Sequence, residues 1–380
     1  MKRVIPLFSL FYIVLFSCTN PSSAIVIDLD RVENRCNVNL SDILEDISVV
    51  SIDSNIDFLF STDSKVYVTS NYIVINNNKS LHLFNRQGEH IRRLSGQGNG
   101  PSEFLIIENF FIDEDILYYK DIKDQTKLFR INLQSSETLS PLSIDLTYLS
   151  EIVYANKQIY SCPSYSGYFD NVSKDVDSVV VAYSISVPSC EIEKHKGYHD
   201  YNFLMLGSTL TSYKNEIALI NLGYSDTLFT LQKNNLNPLC VLTISNKMLD
   251  YTKGGKGIHL ISANNKGIIL AKMNFEYKAG GERIFFLYNP DYYVLYDREN
   301  TLNKISSINF MGGKILADEY IADYKNGSTK ISSLFPVSTG KYGYIIIDPE
   351  YARDFPELMK QIANIPNNND NPYIIVGEFR

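Results

Sequence analysis

The sequence predicts an all-β fold, a β-propeller made of four-stranded antiparallel blades. Three observations lead there. Runs of four to seven residues rich in Ile, Val, Tyr and Phe alternate along the chain with breaks of Asn, Asp, Gly and Ser, the pattern of many short strands. One stretch gathers four such runs, 65–68, 72–75, 81–84 and 90–94, around turns at 76–78 and 85–88, and four strands on tight turns make one blade. Units of this kind recur six times at about 60 residues each, above the roughly 40–50 of common propeller repeats.

The second unit lies at 110–112, 116–119 and 127–131. The third holds 151–154, 158–161 and 178–186, and the fourth 209–213, 217–220, 226–230 and 239–244. The fifth covers 267–271, 283–288 and 292–297, and the sixth 314–317, 342–347 and 373–379. Long loops at 162–177 and 245–258 account for the extra length. An unclosed ring would expose strand edges. One of two early segments, 25–29 or 47–52, is therefore expected to close the last blade beside the C-terminal strand. One short helix is expected as a C-terminal insertion, over 352–363. Phe355, Leu358, Met359 and Ile362 keep the helical period there, and Pro356 suits a first turn.

The chain opens Met1-Lys2-Arg3, followed by an apolar run over 4–16, then Ser17 and Cys18. This is the build of a secretory signal, too short for a membrane span of roughly 20 residues. Leu15-Phe16-Ser17-Cys18 fits the bacterial lipobox, in which the cysteine thiol carries the glyceride and becomes the new N-terminus. Each buried acyl methylene adds about 0.8 kcal/mol, so a lipid on Cys18 is the expected membrane partner. The domain organisation is then a leader at 1–17, a lipidated cysteine and tether at 18–24, and one propeller at 25–380.

The formal charge is −8, and −10 once Lys2 and Arg3 leave with the leader. An acidic surface repels phosphate backbones, so no nucleic-acid partner is expected. Beyond Cys18 there are four cysteines, Cys36, Cys162, Cys190 and Cys240. An oxidising compartment permits a Cys162–Cys190 disulfide, although free thiols acting as small hydrophobes are the favoured reading. No Cys/His spacing matches a zinc site; neither a metal nor another cofactor is expected. There is no Trp, against 27 Tyr and 20 Phe, so any sugar platform falls to those rings. The expected state is a monomer.

The first unit ends in Gly96-Gln97-Gly98-Asn99-Gly100-Pro101-Ser102-Glu103-Phe104. This turn resembles the signature of the six-bladed β-propeller lipoproteins of Bacteroides-type bacteria, relatives of the NHL-repeat propellers. Gly96, Gly98, Gly100, Pro101, Glu103 and Phe104 carry the motif; Ser102 departs from it, where the family usually has Gly. Segments 40–47, 224–229 and 371–376 resemble the family's entry segment, its Asp-Thr strand and its closing strand. The resemblance implies a six-bladed fold and an outer-membrane lipoprotein. The tether lacks the acidic cluster common in surface-exported members, which favours the periplasmic face over the cell surface.

Signals for chemistry are sparse. Gly96 to Gly100 has the wrong spacing for a dinucleotide turn, and 252–257 reads as a mobile loop without the Lys-Ser or Lys-Thr of a phosphate loop. No G-x-S-x-G or H-E-x-x-H is present. His195 to Asp200 reads as a solvated loop, with His195, Tyr198 and His199 as ligand-contact candidates. Tyr165, Tyr168 and Tyr201 join them, because Tyr combines apolar area with a hydroxyl. The sequence therefore suggests a binding scaffold for a protein, peptide or glycan. Two alternatives remain: a propeller lyase or hydrolase with its site in the central pocket, and an assembly subunit of an outer-membrane complex.

Overall fold

The computed structural model describes residues 25–52, 58–144, 149–163, 178–198, 208–213, 216–221, 227–232, 235–245, 255–264, 267–280, 283–297, 302–363 and 371–380. Three strands come first: β1 (Ile25–Asp28), β2 (Arg35–Asn39) and β3 (Leu44–Ser51). Blade 1 is β4 (Lys65–Val68), β5 (Tyr72–Asn76), β6 (Ser80–Asn85) and β7 (His90–Gly96). Blade 2 is β8 (Ile107–Asp113), β9 (Ile116–Asp121), β10 (Lys127–Asn132) and β11 (Thr138–Ser143). Blade 3 is β12 (Leu149–Ala155), β13 (Gln158–Pro163), β14 (Ser178–Ser186) and β15 (Ile192–Tyr198). Blade 4 is β16 (Ser208–Tyr213), β17 (Glu216–Asn221), β18 (Thr227–Gln232) and β19 (Asn235–Thr243). Blade 5 is β20 (Gly255–Asn264), β21 (Gly267–Gly280), β22 (Arg283–Asp297) and β23 (Leu302–Phe310), with the short β24 (Gly313–Leu316) paired to β23. Blade 6 combines β25 (Val337–Thr339), β26 (Tyr342–Ile347) and β27 (Tyr373–Phe379) with β3. The result is a six-bladed propeller of four-stranded antiparallel blades.

Ring closure falls to the later of the two expected segments. β3 pairs antiparallel with β27, Tyr373 facing Ser51 and Phe379 facing Leu44. Arg380 N–H then donates to the Ile43 carbonyl at 3.1 Å. The earlier segment has a different job. β1 adds in parallel to β19, the outer strand of blade 4, and β2 adds in parallel to β23 of blade 5. Residues 25–51 thus form a strap along the outer edges of three successive blades. Both segments cover an exposed edge, so the sequence pattern does not separate them.

The strap is pinned between blades. Leu29 and Ile27 bury into the core shared by blades 4 and 5. Asp30 meets the Lys272 ammonium at 2.6 Å, and Lys272 is 5% exposed in its side chain. Burial works against ionising Asp30. The bonds from Lys272 and from Ser245 N–H outweigh it and bring the carboxyl down to about 2.

Blade 1 follows the expected strands closely. Its cross-blade core joins Tyr67, Val74 and Leu83 to Phe104, Phe111 and Leu128 of blade 2. The glycine turn explains its own composition. Gly98 N–H donates to the Phe104 carbonyl at 2.8 Å, and Phe104 N–H to the Gly96 carbonyl at 3.1 Å. Glu103 folds back so that its Oε2 accepts from Gly100 N–H at 2.8 Å. A Cβ on Gly98 would lie 2.0 Å from that oxygen. Gly98 is therefore needed for close approach of the carboxylate. Ser102 is tolerated, its carbonyl accepting from Ser95 Oγ at 2.6 Å. Phe104, fully buried, anchors the turn.

Several expectations are corrected. Of the loop expected over 195–200, residues 195–198 are the end of strand β15 and 199–200 lie outside the described residues, and 255–264 form β20 where the sequence suggests a loop over 245–258. Residues 283–297 are one strand rather than two, and 314–316 belong to blade 5. The single helix expected over 352–363 is two short ones, Pro349–Ala352 and Pro356–Ile362. Asp348 caps the first, and Pro356 opens the second. A ten-residue helix, Ala317–Asn326, begins where the sequence reads as strand. Its Ala317, Tyr320 and Ile321 bury against the core of blades 5 and 6, and the helical spacing of those residues is the signal available. Cys36, Cys162, Cys190 and Cys240 form no disulfide, so the Cys162–Cys190 bridge is absent.

Two outcomes are expected. A chain ending at Asn371 lacks β27, whose Ile374, Ile375 and Val376 are wholly buried, and should show no cooperative transition by circular dichroism. An unchanged melting temperature would mean the ring closes some other way. Gly98→Ala should destabilise by about 1–3 kcal/mol, and adding Glu103→Ala should recover much of that loss in chemical denaturation.

Candidate functional site

The innermost strands β4, β8, β12, β16, β20 and β25 line a central channel of about 400 Å³. Adjacent inner strands lie side by side in the same direction. Lys65 at the start of β4 donates to the Ile107 carbonyl at the start of β8, at 3.1 Å. Thr339 at the end of β25 donates to the Val68 carbonyl at the end of β4, at 3.0 Å. The inner strands thus begin together on one side of the ring, the entry face.

The wall is aliphatic and aromatic, with neutral polar groups between. Val66, Phe110, Ile152, Val153, Ile261 and Val337 supply apolar surface, and Asn109, Thr211, Ser333 and Ser338 supply polar surface. A ring stack crosses from blade 2 to blade 3. Phe111 stacks on Tyr118 at 5.0 Å and on Tyr154 at 4.5 Å. Burial, and then the nearby Asp113 carboxylate, raise the Tyr154 hydroxyl pKa. Burial also raises Tyr67, and takes Tyr344 to about 12. These phenols remain protonated at neutral pH and act as hydrogen-bonding groups there, not as bases.

Among the described lining residues, the Lys65 ammonium is the one charged group. Partial burial lowers its pKa, and the Glu108 carboxylate raises it again by a smaller amount. Its hydrogen bonds go to main-chain oxygens, those of Ile107 and Glu108. The Glu108 carboxylate pairs instead with Lys120 at 2.9 Å. That pair sits beneath the mouth, Lys120 being 4% exposed in its side chain.

The contact residues expected from the sequence lie elsewhere or outside the described residues. His195 is on β15, the outermost strand of blade 3. It is buried there, its Nε2 2.9 Å from Ser184 Oγ, and it is not among the channel residues. Tyr198 closes that same strand. Tyr165, Tyr168, His199, Tyr201 and Cys18 lie outside the described residues. The sequence does not single out Lys65, Tyr154 or Val337 as channel residues. Lys65 and Tyr154 sit in runs correctly read as strands, but the order of strands from axis to rim is not written in the sequence.

A second titratable cluster lies in blade 1, away from the channel. His82 Nδ1 and His90 Nε2 are 3.0 Å apart, and His82 is packed on Phe58 with ring centroids 4.3 Å apart. Burial first, then His90 and Arg93, pull the His82 pKa down to about 4. Among the described residues no group of three or more potential ligands surrounds a metal position. No helix among them is long and apolar enough to cross a membrane.

The family model described as a domain of unknown function, DUF4934, matches residues 24–378, so the chain belongs to that family. The fold is similar to a crystal structure of an exported protein from Bacteroides fragilis. That match has 14% identity and a TM-score of 0.55, covering 94% of this chain and 99% of the other. It is also similar to the extracellular domain of a hybrid two-component system protein from B. thetaiotaomicron, at 12% identity and a TM-score of 0.37. There 68% of this chain matches 34% of the other. At 14% identity the likeness to the B. fragilis protein extends to the fold alone. A comparison with curated proteins finds no match.

The His82 environment gives a pH dependence. Its folded pKa is below the unfolded value of about 6.5, so between those values the unfolded chain binds more protons. The stabilisation is complete above pH ~6.5 and is lost as pH falls towards 4, by on the order of 2–3 kcal/mol. Thermal melts from pH 7 to 4.5 should show the decline, and His82→Phe should flatten it.

Proposed function

We propose that this DUF4934 protein is an envelope-anchored binding module that takes its ligand into the central channel from the entry face. The observation that carries the reading is the composition of the wall. All six inner strands contribute to it, its phenols are held protonated, and among the described lining residues the polar groups are neutral apart from one amine. Its volume, about 400 Å³, falls within the roughly 300–1,000 Å³ of ligand pockets. Convergent groups poised to exchange protons near neutral pH would favour an enzyme; the described wall favours recognition.

The anchoring half of the proposal rests on Leu15-Phe16-Ser17-Cys18 and the polar tether at 19–24. A diacylated Cys18 holds the propeller at the outer membrane, with the periplasmic side preferred. The strap supports this arrangement, because it places residue 25 on the outer edge of blade 4, away from the channel wall.

A panel of short peptides and neutral oligosaccharides, screened by protein-observed NMR, tests the site. Perturbed resonances should map to channel residues, and Val153→Trp, which fills the channel, should abolish them while preserving the melt. Hits confined to the outer rim, or catalytic conversion of panel members, would refute the binding reading. For the anchor, Cys18→Ala should move the protein from the membrane fraction to the soluble one.

A further inference from the structure

The mouth of the channel combines two features that bear on the kind of ligand. The first is charge. The chain carries a formal charge of −8, yet the one charged group lining the described channel is an ammonium, that of Lys65. Lys65 makes no ion pair among the described residues, and Glu108 beside it is paired with Lys120 at 2.9 Å. Lys120 and Glu108 offset one another, so the Lys65 ammonium is the charge left over on the described channel wall, where partial burial weakens screening by water. An exposed ammonium held by carbonyls at its base keeps a donor direction for an incoming anion.

The second feature is apolar exposure on the same face. Leu59 is 64% exposed, Ile106 49%, Ile122 39% and Val337 38%. Each belongs to the entry face. Ile106 immediately precedes β8, and Ile122 N–H donates to its carbonyl at 3.1 Å. The Leu59 carbonyl accepts from Asn77, in the turn that follows β5, at 2.7 Å. Val337 begins β25 and lines the channel itself.

We infer that the channel receives the C-terminal end of a peptide. Its terminal carboxylate meets the Lys65 ammonium, and its apolar side chains lie on Val337 and the rim residues Leu59, Ile106 and Ile122. This deepens the channel-binding reading and rests on it. Charge complementarity selects the carboxylate. The rim favours a peptide over a sugar acid, because the exposed residues beside Lys65 and Val337, namely Leu59, Ile106 and Ile122, are aliphatic. A chain end also enters a narrow channel without its backbone turning back, whereas an internal Asp or Glu must carry two chain directions through the mouth. Capture of a C-terminal carboxylate is a known recognition mode.

The test uses N-terminally fluorescein-labelled tetrapeptides ending in two residues drawn from Leu, Val, Ile and Phe. Each is made as the free acid and as the C-terminal amide, and binding is read by fluorescence anisotropy. Members of the free-acid set should bind, and amidation should weaken them at least tenfold. Lys65→Met, checked for an unchanged melt, should remove the acid–amide difference, and Lys65→Arg should restore part of it. The acid–amide comparison on the unaltered protein stands even where a variant fails to fold. Equal binding of acid and amide, or a difference that survives in Lys65→Met, overturns the inference. So does absence of binding by every peptide at roughly 1 mM, an affinity of only about −4 kcal/mol. If glucuronate or a neutral oligosaccharide occupies the channel while the peptides do not, the peptide inference fails and the channel reading stands. If nothing enters the channel, both fail.

Discussion

One strand pairing holds the rest of the structure in place. β27 lies between β26 on one side and β3 on the other, so the last strand of the chain is hydrogen-bonded to one of the first. The inner strands that form the channel wall belong to six different sheets and have no ladder of hydrogen bonds linking them all. Their positions depend on apolar packing between blades, and that packing is complete only when the ring is shut. The core joining blade 6 to blade 1 shows the dependence, with Ile346, Ile374 and Val376 packed against Val66, Ile73 and Phe84. Without β3 and β27 in register, these blades lose their shared surface and the channel loses a wall.

The strap adds a second restraint of a different kind. Parallel addition of β1 and β2 satisfies main-chain groups at the outer edges of blades 4 and 5, which would otherwise invite edge pairing with other chains. The buried Lys272 then finds its counter-charge on the strap, at Asp30. A buried ammonium without a partner is unfavourable, so the strap and blade 5 require one another. The arrangement keeps β1 and β2 at the outer edges of blades 4 and 5, away from the inner strands that line the channel.

Much of the fold is legible in the sequence, and unevenly so. Blade 1 can be read almost strand for strand because Asn and Gly turns separate its apolar runs cleanly. β15 cannot, since His195, Lys196 and Gly197 resemble a solvated loop; pairing with β14 makes them strand. The helix Ala317–Asn326 is obscured by the strand-like residues just before it. The glycine turn is recognisable as a motif, but its cause, the Glu103 carboxylate folding over Gly98 and Gly100, emerges only in three dimensions. The histidine stretch that looks site-like supplies a buried His195 bonded to Ser184, on the strand farthest from the axis.

By itself the sequence determined the all-β class and, with the resemblance carried by its glycine turn, a ring of six blades whose two ends must meet. These follow from local patterning and from short-range turn chemistry, which a linear reading captures. Only the tertiary structure decided which residues share the channel. Lys65, Tyr154 and Val337 are separated by scores of positions along the chain and come together because each sits on the strand nearest the axis of its own blade. Nearness to that axis is set by how blades pack around the closed ring, a property of all six sheets at once, and it leaves no periodic mark in any one of them.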